Sequence, residues 1–169
     1  MPIAWIGLGS NLEQPSQQLL TAFQELAQLP QTQLRQTSRL WQSKPMGPQD
    51  QPDFINAVAQ LDTELEPLQL LDALQQLEQH HQRVKLRHWG ERTLDLDLLL
   101  YDQLEYQHPR LTLPHPGITQ RAFVLLPLAE LAADLYIPGK GRVSHLLDQL
   151  TLDDFQGVLP LEANSLSGL

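Results

Sequence analysis

The chain has 169 residues, 41% apolar and 18% charged, with a formal net charge of −9. That length suffices for one ordinary core and predicts a single domain over residues 1–169. The absence of cysteine excludes disulfides and thiolate-bound metal. No apolar run is long enough to span a bilayer, and Met1-Pro2-Ile3-Ala4-Trp5 lacks a basic-then-apolar leader, so a cytoplasmic protein with no membrane partner is expected. The acidic balance argues against nucleic acid, whose binding relies on counterion release onto a basic surface.

Ile3 to Leu8 reads as a short apolar strand closed by Gly7-Leu8-Gly9-Ser10-Asn11. Those glycines lack the spacing of a dinucleotide fingerprint and no G-K-[ST] follows, so a tight strand-to-helix turn is expected rather than a phosphate loop. From Gln14 to Leu29, Leu19, Leu20, Phe23, Leu26 and Ala27 recur at helical spacing. A weaker strand spans Leu34 to Gln42, and the three prolines of residues 43–52 make a loop. Phe54 to Leu61 is the third strand, with Ile55, Ala57, Ala59 and Leu61 on the core face and Phe54 and Asn56 on the other.

Pro67 suits a helix first turn, and Leu70, Leu71, Leu74 and Leu77 carry that helix to about Gln82. A basic loop and then a strand to about Tyr101 complete the order β-α-β-β-α-β. This predicts an α+β fold, a ferredoxin-like antiparallel sheet with helices on one face and the other left for ligands and a C-terminal helical extension. The extension holds a turn near Asp102, a leucine-rich helical stretch from Arg121 to Leu131 kinked or divided at Pro127, and a short helix over 143–150. Residues 151–169 have weak periodicity and are expected to form a flexible tail.

The chemistry concentrates in Arg92-Thr93-Leu94-Asp95-Leu96-Asp97-Leu98-Leu99-Leu100. Alternation along a strand puts Asp95 and Asp97 on one face, roughly 6–7 Å apart, with Leu94, Leu96, Leu98 and Leu100 on the other. At an effective dielectric of about 20 the two carboxylates repel by about 2–3 kcal/mol, which a cation between them would relieve. Such hard oxygen ligands suit magnesium shared with phosphate. The alternative is an edge strand whose aspartates face solvent. Arg83, Lys85, Arg87 and Arg92, four of the eleven Lys and Arg residues, lie just upstream and favour a phosphate ligand over a merely solvated charged loop.

Other candidates are weaker on their own. Phe54 beside Asn56 could stack on and hydrogen-bond to a flat heterocycle. Leu71, Gln75, Glu78 and Gln82 line a helix stripe that also reads as a solvated face. Trp89 either anchors its loop or covers a ligand. His115 is held in a stiff Pro114-His115-Pro116 turn, with Arg121 six residues on.

Taken together, the chain resembles the 6-hydroxymethyl-7,8-dihydropterin pyrophosphokinases from about residue 3 to residue 138. The carrying motifs are Gly9-Ser10-Asn11, Pro45 to Asn56, Glu78 to Arg83, Trp89 to Asp97, and Leu113-Pro114-His115-Pro116 with Arg121 and Phe123. The resemblance implies pyrophosphate transfer from ATP to the hydroxymethyl oxygen of a reduced pterin in folate biosynthesis, with AMP released. It implies that Asp95 and Asp97 hold two magnesium ions on the ATP phosphates and that Arg83 and Arg92 stabilise the moving group. Lys85, Trp89, Thr112, His115, Arg121 and the main chain at Leu98 would contact the nucleotide, with Gln75 and Glu78 lining that side. Phe54 and Phe123 would sandwich the pterin, with Asn56 on its amide edge, Asp95 beside it, and the main chain near Ser43 and Met46 contributing.

Two positions depart from the family pattern. Its glycine before the first catalytic arginine is Gln82 here, and its Gly-Pro-Arg is Gly90-Glu91-Arg92. The basic loop is about one residue short, leaving Lys85 and Arg87 as alternatives for one nucleotide contact. A monomer is expected. A catalytically silent nucleotide- or pterin-binding regulatory module is the alternative function, although every charged catalytic position is filled. An RNA-binding reading fails on acidity and on the missing aromatic pair of a central strand.

Overall fold

Strand β1 (Ile3–Ser10) is the axis of the computed structural model, which describes residues 1–12, 14–45, 50–81 and 93–161. It pairs antiparallel with β4 (Phe54–Thr63) on one side and β5 (Asp95–Tyr101) on the other. Beyond β4 lie β2 (Thr32–Thr37) and β3 (Trp41–Ser43), both antiparallel to it. Short strand β10 (Leu159–Pro160) adds to β3, so the main sheet runs β10-β3-β4-β1-β5 with β2 also on β4. The fold is α+β, an antiparallel sheet carrying helices.

The single strand expected over Leu34–Gln42 is two strands, because Ser38 interrupts the ladder. Its backbone N–H donates to Val58 C=O at 2.8 Å, while its hydroxyl, in place of a main-chain carbonyl, accepts from Val58 N–H at 2.9 Å. The side chain thus takes over a ladder bond and the strand breaks there.

Alternation along β1 sorts its side chains between two cores. Ala4, Ile6 and Leu8 join Ala57, Ala59, Leu61, Leu96 and Leu98 beneath α1 (Pro15–Ala27) and α2 (Pro67–His80). Helix α2 starts on a reciprocal cap between Glu66 and Gln69, with Pro67 in its first turn. At its far end the His81 ring bonds to Gln18 and Glu25 of α1, tying the helices together just before residue 82.

On the opposite face Trp5, Val58, Leu99 and Leu100 pack with Ile118, α3 (Ala122–Ala132) and α4 (Val143–Asp148). Leu100 was expected on the other face, with Leu94, Leu96 and Leu98. The correction comes from a β-bulge: Ile6 pairs with Leu98 and Trp5 with Leu100, so Leu99 is the extra residue and the alternation inverts past it.

Helix α3 runs unbroken through the buried Pro127. Hairpins β6 (Tyr106–His108) with β7 (Leu111–Leu113), and β8 (Tyr136–Ile137) with β9 (Gly141–Arg142), complete the chain. Of the segment 151–161, α5 (Leu152–Phe155) and β10 carry the regular structure. Among the described residues no helix is long and apolar enough to cross a membrane.

Candidate functional site

The face of the sheet that carries α3 is divided along β1. Trp5 is covered, but the next two side-chain positions on that face, Gly7 and Gly9, carry nothing. The register places Gly7 between Val58 and Asp97, and Gly9 between Asn56 and Asp95. The glycines therefore lie within a strand, not in the turn expected for Gly7-Leu8-Gly9-Ser10. Neither has a positive φ, so a turn is not what glycine serves here. A Cβ at Gly7 would meet the Leu99 side chain at 3.3 Å, so that position is covered, and the bare strip lies over Gly9, bordered by Asn56 on one side and Asp95 on the other.

Asp95 and Asp97 point to the same face, as i and i+2 positions of β5; Asp95 is half-buried and Asp97 exposed. Among the described residues no group of three or more His, Asp or Glu side chains could hold a metal ion. Two carboxylates suit a magnesium ion that takes its remaining oxygens from water and phosphate. The donor chemistry fits that ion.

Asn56 is only 5% exposed, not the open residue that its face suggested. Its Nδ2 donates to Ser43 Oγ at 2.6 Å, and Ser43 in turn pairs with Phe54. A Cβ at Gly9 would stand 3.4 Å from Asn56 Oδ1 and 3.9 Å from Phe54 Cδ1, so both groups border the strip. Asn11 sets the approach to β4: its Nδ2 donates to Gln51 Oε1 at 2.9 Å and to Pro52 C=O at 3.0 Å. Phe123, near the start of α3, packs at the margin of the second core, on this same side of the sheet.

His115 enters beside β5. Its N–H donates to Leu99 C=O at 2.9 Å, which fixes the turn after the cis Leu113–Pro114 bond to the strand. Gly117 N–H donates to His115 Nδ1 at 3.1 Å, so the neutral ring carries its proton on Nε2 and presents a donor there. Burial lowers the His115 pKa from the ordinary 6.5; Asp97 opposes that shift and Arg121 adds to it. Its folded pKa is depressed, so the unfolded chain binds the proton more readily. The stability contributed by the neutral ring is therefore full above about 6.5 and is lost as pH falls below it. In ligand-free protein the His115 ring resonances should titrate with a midpoint below 6.5. A midpoint at or above that value would contradict this account, and His115→Gln should flatten the acid limb of the stability profile.

Helix α2 lies on the other side of the sheet, and its candidate Glu78 bonds to the backbone of β5. Glu78, 7% exposed, accepts from Leu96 N–H at 2.8 Å, between the two aspartates. Glu78→Ala should lower stability by about 1–3 kcal/mol, because a buried amide loses its acceptor; an unchanged unfolding midpoint in urea would count against that role. Gln75 is exposed and accepts from Arg110 Nη2 at 3.1 Å. Arg110, which also pairs with Asp72, gives no signal in the sequence because it is an isolated cation in a turn. Only the hairpin β6–β7 brings it to α2. Thr112 is exposed on β7, and Leu98 buries its side chain in the core, which leaves only its main chain to a ligand. Met46, Arg83, Lys85, Arg87, Trp89 and Arg92 lie outside the described residues.

Known proteins resemble the chain closely. Residues 5–133 match the family described as 7,8-dihydro-6-hydroxymethylpterin-pyrophosphokinase. The chain is 52% identical over 149 residues to the 2-amino-4-hydroxy-6-hydroxymethyldihydropteridine pyrophosphokinase of Haemophilus influenzae, covering 88% of this chain and 93% of that one. It is 49% identical over 154 residues to the protein of the same name from Pseudomonas aeruginosa, with 91% and 93% covered. Among solved structures, Plasmodium falciparum HPPK-DHPS with pteroate superposes with a TM-score of 0.69 at 14% identity. That match covers 88% of this chain but only 42% of the Plasmodium chain, and it speaks for the fold alone.

Proposed function

Because the chain belongs to the 7,8-dihydro-6-hydroxymethylpterin-pyrophosphokinase family, we propose that it transfers pyrophosphate from ATP to 6-hydroxymethyl-7,8-dihydropterin in folate biosynthesis. In that reaction the hydroxymethyl oxygen bonds to the β-phosphorus of ATP as the bond from that phosphorus to the α–β bridging oxygen breaks. AMP departs with the electron pair and the hydroxyl proton is lost to water. The observation that carries this reading is the row Asn56–Gly9–Asp95, continued by Asp97 opposite Gly7. Two strand spacings, about 10 Å, separate the amide from the nearer carboxylate. That is room for a flat bicycle at one end and a phosphate chain at the other.

Asp95 and Asp97 would hold two magnesium ions, which supply charge neutralisation at the phosphate oxygens when bound. Asn56, held by Ser43, would read the amide edge of the pterin, with the main chain near Met46 beside it. Phe54 and Phe123, both on the α3 side of the sheet, would stack on its faces. His115, as an Nε2 donor, and Arg121 would bind the nucleotide together with Thr112 and the main chain at Leu98. Gln75 and Glu78 would border it from α2. Arg83 and Arg92 would stabilise the charge of the moving group, with Lys85 and Trp89 on the nucleotide. Little covalent work falls to side chains in such a transfer, so positioning and charge stabilisation account for the rate.

The all-antiparallel order β5-β1-β4-β2 supports reading the scaffold as the ferredoxin-like split βαβ arrangement. We read the working unit as a cytoplasmic monomer formed by one domain. The deciding experiment measures AMP release from ATP and magnesium with and without 6-hydroxymethyl-7,8-dihydropterin. Pterin-dependent AMP is expected; ATP bound with no AMP formed would leave only a binding module.

A further inference from the structure

We infer that Gly117 is a positioning residue: its missing side chain is the seat on which the Arg121 guanidinium lies. The inference deepens the reading of Arg121 as a nucleotide-binding group and rests on it. A Cβ built at Gly117 would stand 2.7 Å from both Cζ and Nε of Arg121 and 3.0 Å from its Nη2. Those distances leave no room for even a methyl group while the guanidinium stays where it is. Backbone conformation does not call for glycine here, because Gly117 is not among the glycines with positive φ. What the position requires is space.

The backbone on both sides is well fixed. Gly117 N–H donates to His115 Nδ1, Ile118 N–H donates to His115 C=O at 3.1 Å, and Gln120 N–H donates to Gly117 C=O at 3.3 Å. Arg121 caps α3, its C=O accepting from Val124 N–H and Leu125 N–H at 3.0 Å each. A residue at 117 therefore meets the far end of a flexible side chain and not a rigid neighbour. The guanidinium would move and the fold would stay. On its other side the Arg121 Cζ lies 6.0 Å from the centre of the Phe123 ring, within reach of a cation–π contact. Gly117 thus holds the charge against the aromatic wall on the pterin side, next to His115 on the nucleotide side. Any larger residue at 117 would push it out of that place.

The test is a double-mutant cycle of Gly117→Ala with Arg121→Ala, read by steady-state kinetics and thermal unfolding on the same samples. Gly117→Ala should raise the KM for ATP about tenfold, the loss of one charge-assisted hydrogen bond, with kcat within about threefold. Its Tm should stay within about 2 °C of the parent. In the Arg121→Ala background the same change should have no further effect on KM. Independent, multiplying losses would overturn the inference alone, as would an unchanged KM in Gly117→Ala. A fall in Tm beyond about 5 °C would overturn it too, since the methyl would then disturb the backbone and not the guanidinium. A parent-like KM for ATP in Arg121→Ala would overturn the reading of Arg121, and the inference with it.

Discussion

Asp97→Ala is expected to abolish pyrophosphate transfer in a protein that still folds. The Asp97 side chain is exposed, stands opposite a glycine, and belongs to neither core, so its removal opens no cavity. The loss falls on the reaction, where one of two carboxylates that would hold cations against a triphosphate disappears. Removing a comparable electrostatic stabiliser costs two to three orders of magnitude, and a metal ligand costs more, so a decrease of about 1,000-fold or greater is expected. Asp97→Asn keeps the shape and removes the charge, and should be impaired nearly as much. AMP formation within tenfold of the parent in either variant would sink the assignment.

The second large effect is expected at Gly9. A Cβ there meets Asn56 Oδ1 and Phe54 Cδ1 at ordinary contact distances of 3.4 and 3.9 Å, so the strand can accept a side chain. A β-branched residue also suits an extended backbone. Gly9→Val should therefore fold, but its methyl groups would occupy the strip between Asn56 and Asp95 on which the pterin is proposed to lie. The KM for the pterin should rise about 100-fold or more, while ATP binding measured by calorimetry stays within about threefold; one blocked aromatic contact and one blocked amide contact are together of that order. Undiminished pterin affinity would mean that the heterocycle binds elsewhere.

The central strands and both long helices were legible because their apolar residues keep strict periods of two or three to four. The long-range arrangements were less so. The bulge at Leu99 has no signature within a run of leucines, since every register of such a run looks equally apolar. The break at Ser38 depends on where Val58 lies, and β10 pairs with Trp41 and Gln42 from more than a hundred residues away.

The site shows the same division. The period of two in β5 was enough to put Asp95 and Asp97 on one face, and the prolines around His115 marked a constrained turn. Gly7 and Gly9 read as a turn because glycine is the usual punctuation of a chain, whereas in β1 Gly7 makes room for the Leu99 side chain and Gly9 leaves an empty face. Arg110 and Gly117 carried no signal at all: the importance of each comes from one distant or flexible neighbour that only the folded chain supplies.

The bond from Leu96 N–H to Glu78 has a consequence for how molecules of this protein meet one another. Strand β5 borders the sheet, and a border strand invites pairing by a foreign chain seeking partners for its own main chain. At Leu96 a foreign strand would find the amide already taken by a side chain rooted in α2, and would have to evict that acceptor before zipping on. The same carboxyl group that braces β5 is thereby a guard against fibril-like stacking. A variant lacking it should show its weakness first as turbidity in concentrated, warmed samples.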